Sequence, residues 1–203
     1  MNTPSAINLM EQVRQHFSEN IQTHIQSADN LAPQIVKAAQ ILVETLIQGH
    51  KILTCGNGES AADAQRLVTG LLHRFEVERP SLPIISLNCG TAVMTAIAND
   101  QDYSLIFSKQ IEALAQTGDT LVLFSSSGNS QNILKAAEAG HHRGAKIIAL
   151  TGKDGGKLAK LLTNNDIEIR VPADRIARIQ ECHILTTHCL CDLIDQQLFK
   201  SDN

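Results

Sequence analysis

Residues 120–130, TLVLFSSSGNS, join five strand-forming residues directly to a loop of serine, glycine and asparagine. A short apolar run without polar alternation is typical of a strand that is buried on both faces of a parallel sheet. The same order of apolar run, small polar loop and helical pattern begins at residues 51–60, KILTCGNGES. Both segments therefore predict a strand that leads into a helix.

Three further segments repeat this unit without repeating its residues. They predict strands at 83–88, at 146–151 before the glycine-rich loop 152–156, and at 166–171. Five strands joined by crossover helices predict an α/β fold with a doubly wound five-stranded parallel sheet. Because no linker or low-complexity tract divides the chain, we expect residues 1–203 to form a single domain.

Helical patterns flank the predicted sheet. The first fifty residues predict two helices: the first has apolar residues every four positions, and the second has an apolar stripe over 31–47. We expect both stripes to be buried and this pair, residues 1–50, to contribute to oligomerisation. A long C-terminal helix is predicted from about 175 to 199, with an apolar stripe suited to another subunit. The apolar residues of the first stripe are Leu9, Val13, Phe17, Ile21 and Ile25.

Composition narrows the possible partners and the location. The net charge of −4 and the aromatic content of 3% disfavour direct binding of nucleic acid, which needs positive charge and stacking surfaces. The five cysteines are odd in number and lie in apolar runs, which indicates a reducing compartment. The sequence shows no signal-peptide pattern and no membrane-length apolar run, so we expect a cytoplasmic protein without a membrane partner.

The serine-rich loop is a candidate phosphate site. In an open parallel sheet, ligands bind beyond the carboxyl ends of the strands, where helix N-termini offer free amides. The alternative is that serines and glycines only turn the chain and cap the next helix, and this is how we interpret residues 152–156. Two polar loops at strand ends favour phosphate. The candidate ligand residues are Asn57, Ser60, Ser125, Ser126, Ser127 and Ser130.

Four segments carry a family resemblance over essentially the whole chain. CGNG at 55–58, SSSGNS at 125–130, LTGKDGGKLA at 150–159 and RIQECH at 178–183 together resemble the bacterial phosphoheptose isomerases. The resemblance implies a SIS (sugar isomerase) domain, a homotetramer and a sugar phosphate ligand such as sedoheptulose 7-phosphate.

Two branches of that family are relevant. One contains isomerases that make D-glycero-D-manno-heptose 7-phosphate for lipopolysaccharide. The other is the DiaA branch, whose members associate with the DnaA initiator of replication. Residues 74–83, 95–100 and 188–199 are similar to the DiaA branch and to the isomerases nearest to it.

The resemblance also places the catalytic positions. Family isomerases carry a histidine and a glutamate on the helix after the first loop and a glutamine and a histidine on the last helix, often around zinc. The last-helix positions hold Gln180 and His188, but the others hold Arg66 and Gly70. Arginine cannot ligate zinc as a neutral imidazole does, and glycine offers no ligand. We therefore expect no metal, or zinc if the protein is an active isomerase.

Two hypotheses follow from these substitutions. In the first, a catalytically impaired protein binds a sugar phosphate, with Arg66 as an anion contact, and binds DnaA through Leu198 and Phe199 at an exposed end. Packing of these two residues on their own tetramer remains the alternative.

In the second hypothesis, the protein is a working sedoheptulose 7-phosphate isomerase with a rearranged site. Glu59, Asp63 or Asp100 would then supply the base, unless these carboxylates only cap helices or pair with arginines. His183 is interpreted as a packed core residue.

Overall fold

The computed structural model describes residues 8–199 and contains one parallel sheet. Its five strands lie in the order β2-β1-β3-β4-β5. The bounds confirm all five predicted strands: β1 Ile52–Gly56, β2 Ile84–Ser86, β3 Thr120–Phe124, β4 Lys146–Gly152 and β5 Ile167–Val171. Every residue of β1 and β3 is buried, and so is every residue of β4 after Lys146. This burial explains why the three strands appear in the sequence as largely apolar runs.

Helices cover both faces of the sheet, as the doubly wound prediction requires. One core includes Leu42, Leu67 and Ile194, and the other includes Ile111 and Leu158. The helices are α1 Leu9–Ile47, α2 Glu59–Val68, α3 Thr91–Asp100, α4 Ser108–Leu114, α5 Gln131–His142, α6 Gly156–Leu161 and α7 Ile176–Phe199, with a π-helical turn at Thr69–His73 and a 3₁₀ turn at Tyr103–Leu105.

The prediction of two N-terminal helices is wrong, because α1 is one helix of 39 residues. It continues through Pro33, where a helix loses one backbone hydrogen bond. Packing on α7 offsets this loss: Thr23, Ser27 and Leu31 are buried along α1, and the Ser27 hydroxyl lies 3.7 Å from the thiol of Cys182 on α7.

The expectation that both N-terminal stripes are buried is also wrong for the first stripe. Its side chains are 55–70% exposed in the single chain, namely Leu9, Val13, Phe17, Ile21 and Ile25. Periodicity alone shows that one face of a helix is apolar, but not what covers that face. The C-terminal helix is confirmed, and Ile179, Leu190 and Ile194 of its stripe are buried in the core of their own chain.

The carboxyl ends of β1 and β3 define the switch point of the sheet. From β1 the chain crosses to β2 on one side, and β3 then lies on the other side of β1. The register places Gly56 opposite Phe124. The loops that follow these residues therefore start at the same level beside each other, which is where open parallel sheets bind ligands.

Two general features complete the fold. None of the helices within residues 8–199 has the length and apolar character needed to cross a membrane. All five cysteines are free thiols.

Candidate functional site

The serine loop, defined as residues 125–130, begins directly at the end of β3. The Ser125 amide donates to the carbonyl of Leu150 on β4 at 3.0 Å, and the Gly128 amide donates back to the Ser125 carbonyl at 3.1 Å. Gly128 has a φ of +61°, in the left-handed region that glycine adopts without strain. These contacts turn the chain tightly from β3 into α5.

The Ser130 hydroxyl does not cap the helix that follows the serine loop. Ser130 is the N-cap residue of α5, yet its side chain accepts no hydrogen bond from the first turn of the helix. The alternative interpretation of the loop as a simple cap therefore does not hold at Ser130. A helix N-terminus with free amides and an uncommitted hydroxyl is suited to an anion.

The first loop lies beside the serine loop and is joined to the first turn of α5 by side-chain amide groups. The Ser60 amide donates to the Asn57 carbonyl at 3.0 Å. The side chains of Asn57 and Asn132, the latter in the first turn of α5, donate to each other at 2.8 Å. The Tyr103 hydroxyl also donates to Asn57 Oδ1, at 3.2 Å.

A cavity beside this network is lined by residues of three segments. Asn57 and Ser130, both predicted ligand residues, lie in its wall. Asn132 and Tyr103 share that wall and were missed by the sequence analysis, because neither belongs to a recognisable loop pattern. A polar residue in the first turn of a helix that follows a phosphate loop was the available signal for Asn132.

Arg66 is paired with a carboxylate. Its guanidinium donates to Asp63 Oδ1 at 3.1 Å, and the Asp63 side chain is almost fully buried. Burial raises the pKa of Asp63, while the charge of Arg66 opposes that rise. Within residues 8–199, no hydrogen bond joins Arg66 to the serine loop. The interpretation of Asp63 as the partner of an arginine is thus confirmed.

Gly70 is a packing residue in this structure. It lies at the start of the π-helical turn, where a Cβ atom would come within 2.6 Å of Cys191 Sγ on α7. A contact below 3 Å requires the Cys191 side chain to shift before a larger residue fits. The Cys191 thiol thus packs against the position where the resemblance implies a glutamate.

Gln180 and His188 both lie on α7, but they are not adjacent on the helix. Eight residues separate them, which corresponds to about 12 Å along an α-helix. The His188 ring packs against Phe75, with 5.5 Å between the ring centroids.

The family's zinc does not fit the groups that are present. Residues 8–199 contain no cluster of three or more histidine, cysteine, aspartate or glutamate side chains arranged for a metal. Arg66 is paired with Asp63, and Gly70 has no side chain to act as a ligand.

His183 is a core residue, as predicted. It is fully buried, its Nε2 lies 3.0 Å from the Thr151 carbonyl oxygen, and its ring makes an edge contact with Phe124. Burial lowers the pKa of His183 from 6.5 to about 4. The neutral ring donates to the end of β4, where the loop 152–156 begins.

The C-terminal pair is less exposed than expected. Leu198 is half-buried and packs against the core, and Phe199 is 37% exposed. The guanidinium of Arg79 lies 5.8 Å from the centre of the Phe199 ring. The expectation of an exposed apolar pair is wrong for Leu198, because α7 turns that residue toward its own chain.

The chain is similar to known proteins over most of its length. The family model described as SIS domain matches residues 16–152, which agrees with the parallel sheet and the two loops at its switch point. The chain is 55% identical over 194 residues to the phosphoheptose isomerase of Shewanella frigidimarina, covering 96% of this chain and 98% of that protein. This chain belongs to the phosphoheptose isomerase family of SIS-domain proteins.

Solved structures of family members have the same fold. A phosphoheptose isomerase from Francisella tularensis is 45% identical with a TM-score of 0.92, covering 94% of this chain and 100% of that chain. The phosphoheptose isomerase of Neisseria gonorrhoeae is 43% identical with a TM-score of 0.89, covering 93% and 100%.

Proposed function

We propose that this protein binds a phosphorylated ketoheptose, sedoheptulose 7-phosphate, in the crevice between the ends of β1 and β3. The main support for the proposal is that the Ser130 hydroxyl lies at the N-terminus of α5 without capping the helix. The phosphate accepts hydrogen bonds from Ser125, Ser126, Ser127 and Ser130 and from the first amides of α5. Asn57, in the wall of the cavity, contacts the sugar from the neighbouring loop. Ser60 is buried in the first turn of α2.

Arg66 is a further candidate contact for the ligand. A guanidinium has five N–H donors, and only one contact to Asp63 is formed. The side chain is partly exposed, so its remaining donors are accessible to an anionic or hydroxyl-rich ligand. Arg66 therefore supports binding without supporting metal chemistry.

Isomerisation of the bound sugar is the second candidate. Its support is the 55% identity to a protein named phosphoheptose isomerase over nearly the whole chain, together with Gln180 and His188 at the last-helix positions. The reaction moves a proton between neighbouring carbons and needs a positioned base. His188 is the candidate for that proton transfer, and Gln180 is a hydrogen-bonding group for the sugar. The proposed reaction uses these side chains and not zinc, because the residues present do not fit the metal.

A role with the DnaA initiator is the remaining candidate. It rests on Arg66 and Gly70 at the catalytic positions and on the partly exposed ring of Phe199 at the end of α7. Leu198 contributes only if α7 shifts at its end. We place this role in the cytoplasm and in a homotetramer, with the exposed first stripe of α1 as a subunit contact.

Calorimetric titration with sedoheptulose 7-phosphate and with inorganic phosphate tests the binding proposal. We expect Ser130→Ala to weaken both affinities about tenfold, which corresponds to about 1.4 kcal/mol. Ser81→Ala, at an exposed serine outside both loops, is expected to leave both affinities unchanged. Absence of binding at millimolar ligand contradicts the proposal.

A turnover assay separates the remaining candidates. If sedoheptulose 7-phosphate is isomerised, and Gln180→Ala and His188→Ala both abolish turnover, the second candidate is supported. If the sugar binds without turnover, with or without added zinc, the protein is a binding protein. Capture of purified DnaA by the wild type and by a Leu198→Ala/Phe199→Ala variant then tests the third candidate.

A further inference from the structure

The glycine-rich segment 152–156, from the last residue of β4 to the first residue of α6, lies directly against the serine loop. The amide of Leu158, in the first turn of α6, donates to the Gly128 carbonyl at 2.9 Å. The amide of Lys157 donates to Asn129 Oδ1 at 3.1 Å. Two hydrogen bonds thus connect the first turn of α6 to the middle of the serine loop.

Asn129 links both loops through one side chain. While its Oδ1 accepts from Lys157, its Nδ2 donates to the Ser127 carbonyl at 2.8 Å. Its backbone amide lies 3.3 Å from Ser127 Oγ. Both polar atoms of this side chain therefore bind backbone groups, one in the serine loop and one in the first turn of α6.

Glycines allow the two backbones to approach closely. A Cβ atom at Gly156 would lie 2.7 Å from the Gly128 carbonyl oxygen and would overlap the Ser127 carbonyl oxygen. A Cβ atom at Gly128 would overlap the carbonyl of Gly155. Since backbone atoms cannot move away as a flexible side chain does, any residue larger than glycine at 156 must displace the serine loop.

We propose that Asn129 and Gly156 are positioning residues that hold the serine loop in the shape that receives a phosphate group. The proposal rests on the proposed function of that loop. Serine and glycine have high backbone freedom, and an unsupported loop would lose that freedom on binding at the expense of affinity. Contacts to the first turn of α6 order the loop before the ligand arrives.

Variants of both residues test the proposal, and the chain offers a matched control. Gly156→Ala introduces the overlap, and Asn129→Ala removes both side-chain hydrogen bonds. Gly49→Ala is the control, because Gly49 has a φ of +78° and no atom of residues 8–199 within 4 Å of its Cβ position. It therefore carries a backbone penalty like that of Gly156, whose φ is +60°, without any contact to the serine loop.

Hydrogen exchange of the ligand-free protein gives the first readout. We expect amides of residues 126–132 to exchange at least tenfold faster in Gly156→Ala and Asn129→Ala, and at the wild-type rate in Gly49→Ala. Faster exchange across the whole chain, or no change in either variant, overturns the proposal.

Affinity for inorganic phosphate gives the second readout. We expect Asn129→Ala to weaken binding about tenfold while its melting temperature stays close to that of the wild type. Unchanged affinity in both variants overturns the proposal. If the wild type binds no phosphate, the proposed function fails separately, and the exchange rates alone decide whether the two residues order the loop.

Discussion

The side-chain amides of Asn57 and Asn132 form a reciprocal pair, in which each Nδ2 donates to the other Oδ1 at 2.8 Å. The pair joins the loop after β1 to the first turn of α5 across the switch point of the sheet. Asn57 Oδ1 accepts a further hydrogen bond from Tyr103. The spacing between the two candidate ligand loops is therefore set by side chains.

Removal of one member of this pair should destabilise the protein. Asn132 is buried, and Asn132→Leu leaves Asn57 Nδ2 without its partner, at a cost of about 1–2 kcal/mol in the free energy of unfolding. Urea denaturation measures this loss. Asn30→Leu, at an exposed asparagine on α1, should change the free energy of unfolding by less than about 0.5 kcal/mol. Equal effects of the two variants would contradict the importance of the pair.

Gly70→Ala should be destabilising because of one specific contact. Its new Cβ atom would meet Cys191 Sγ at 2.6 Å, and overpacking of this kind costs about 1–3 kcal/mol. In a Cys191→Ala background the cost should fall by at least about 1 kcal/mol, as measured by a double-mutant cycle. A Cys189→Ala background, at a neighbouring half-buried thiol on α7, should leave the cost unchanged. Equal costs in both backgrounds would contradict the contact.

Arg79 and Asp195 form an ion pair that is buried from solvent. Arg79 donates to Asp195 at 2.7 Å and to the carbonyls of Gly70 and Leu71 at 2.6 and 2.7 Å. Arg79→Met should cost about 3–5 kcal/mol, because it leaves a buried carboxylate without a partner. Chemical denaturation measures the change.

The control for this ion pair is a neighbouring arginine. Arg74→Met removes the pair with Glu78, which is exposed, and should cost less than about 1 kcal/mol. Equal effects of Arg79→Met and Arg74→Met would contradict the importance of the buried pair.

His183 should make stability depend on pH in the acidic range. Burial lowers the pKa of the folded-state imidazole from 6.5 to about 4, so the folded protein binds a proton less readily than the unfolded chain. The contribution is therefore complete above pH 6.5 and is lost as the pH falls toward 4. At about 1.4 kcal/mol per pKa unit, the loss across this window is roughly 3 kcal/mol.

His183→Gln isolates this effect, because glutamine can donate to the Thr151 carbonyl without titrating. Denaturation of both proteins at pH 7 and pH 5 gives the comparison. We expect the wild type to lose more stability than the variant on acidification. Parallel losses would show that His183 does not titrate in this range.

The sheet was predictable because parallel strands that are covered on both faces appear in the sequence as short, continuous apolar runs. The run 120–124 became β3 with the same bounds. The serine loop was found for a similar reason, since its residues follow a strand directly. The N-terminal prediction failed because two apolar stripes were interpreted as two helices, whereas one helix of 39 residues carries both.

Contacts between distant residues were beyond reach of the sequence. The Asn57–Asn132 pair spans 75 positions. Gly70 and Cys191 are also far apart in the sequence, although the structure brings the π-helical turn against α7. Gly70 was interpretable from the sequence only as a missing side chain. The structure adds that the Cys191 thiol packs against this position.

The register that sets Gly56 beside Phe124 also links ligand capture to the integrity of the entire domain. Two segments of the chain 68 positions apart must pair before both walls of the crevice exist, so a partly folded chain has no crevice to offer. Any molecule that occupies it stabilises the complete native state. At one hundred times its dissociation constant, such a ligand raises the free energy of unfolding by about 2.7 kcal/mol. The abundance of a small metabolite would then influence how long each copy of the protein survives in the cell.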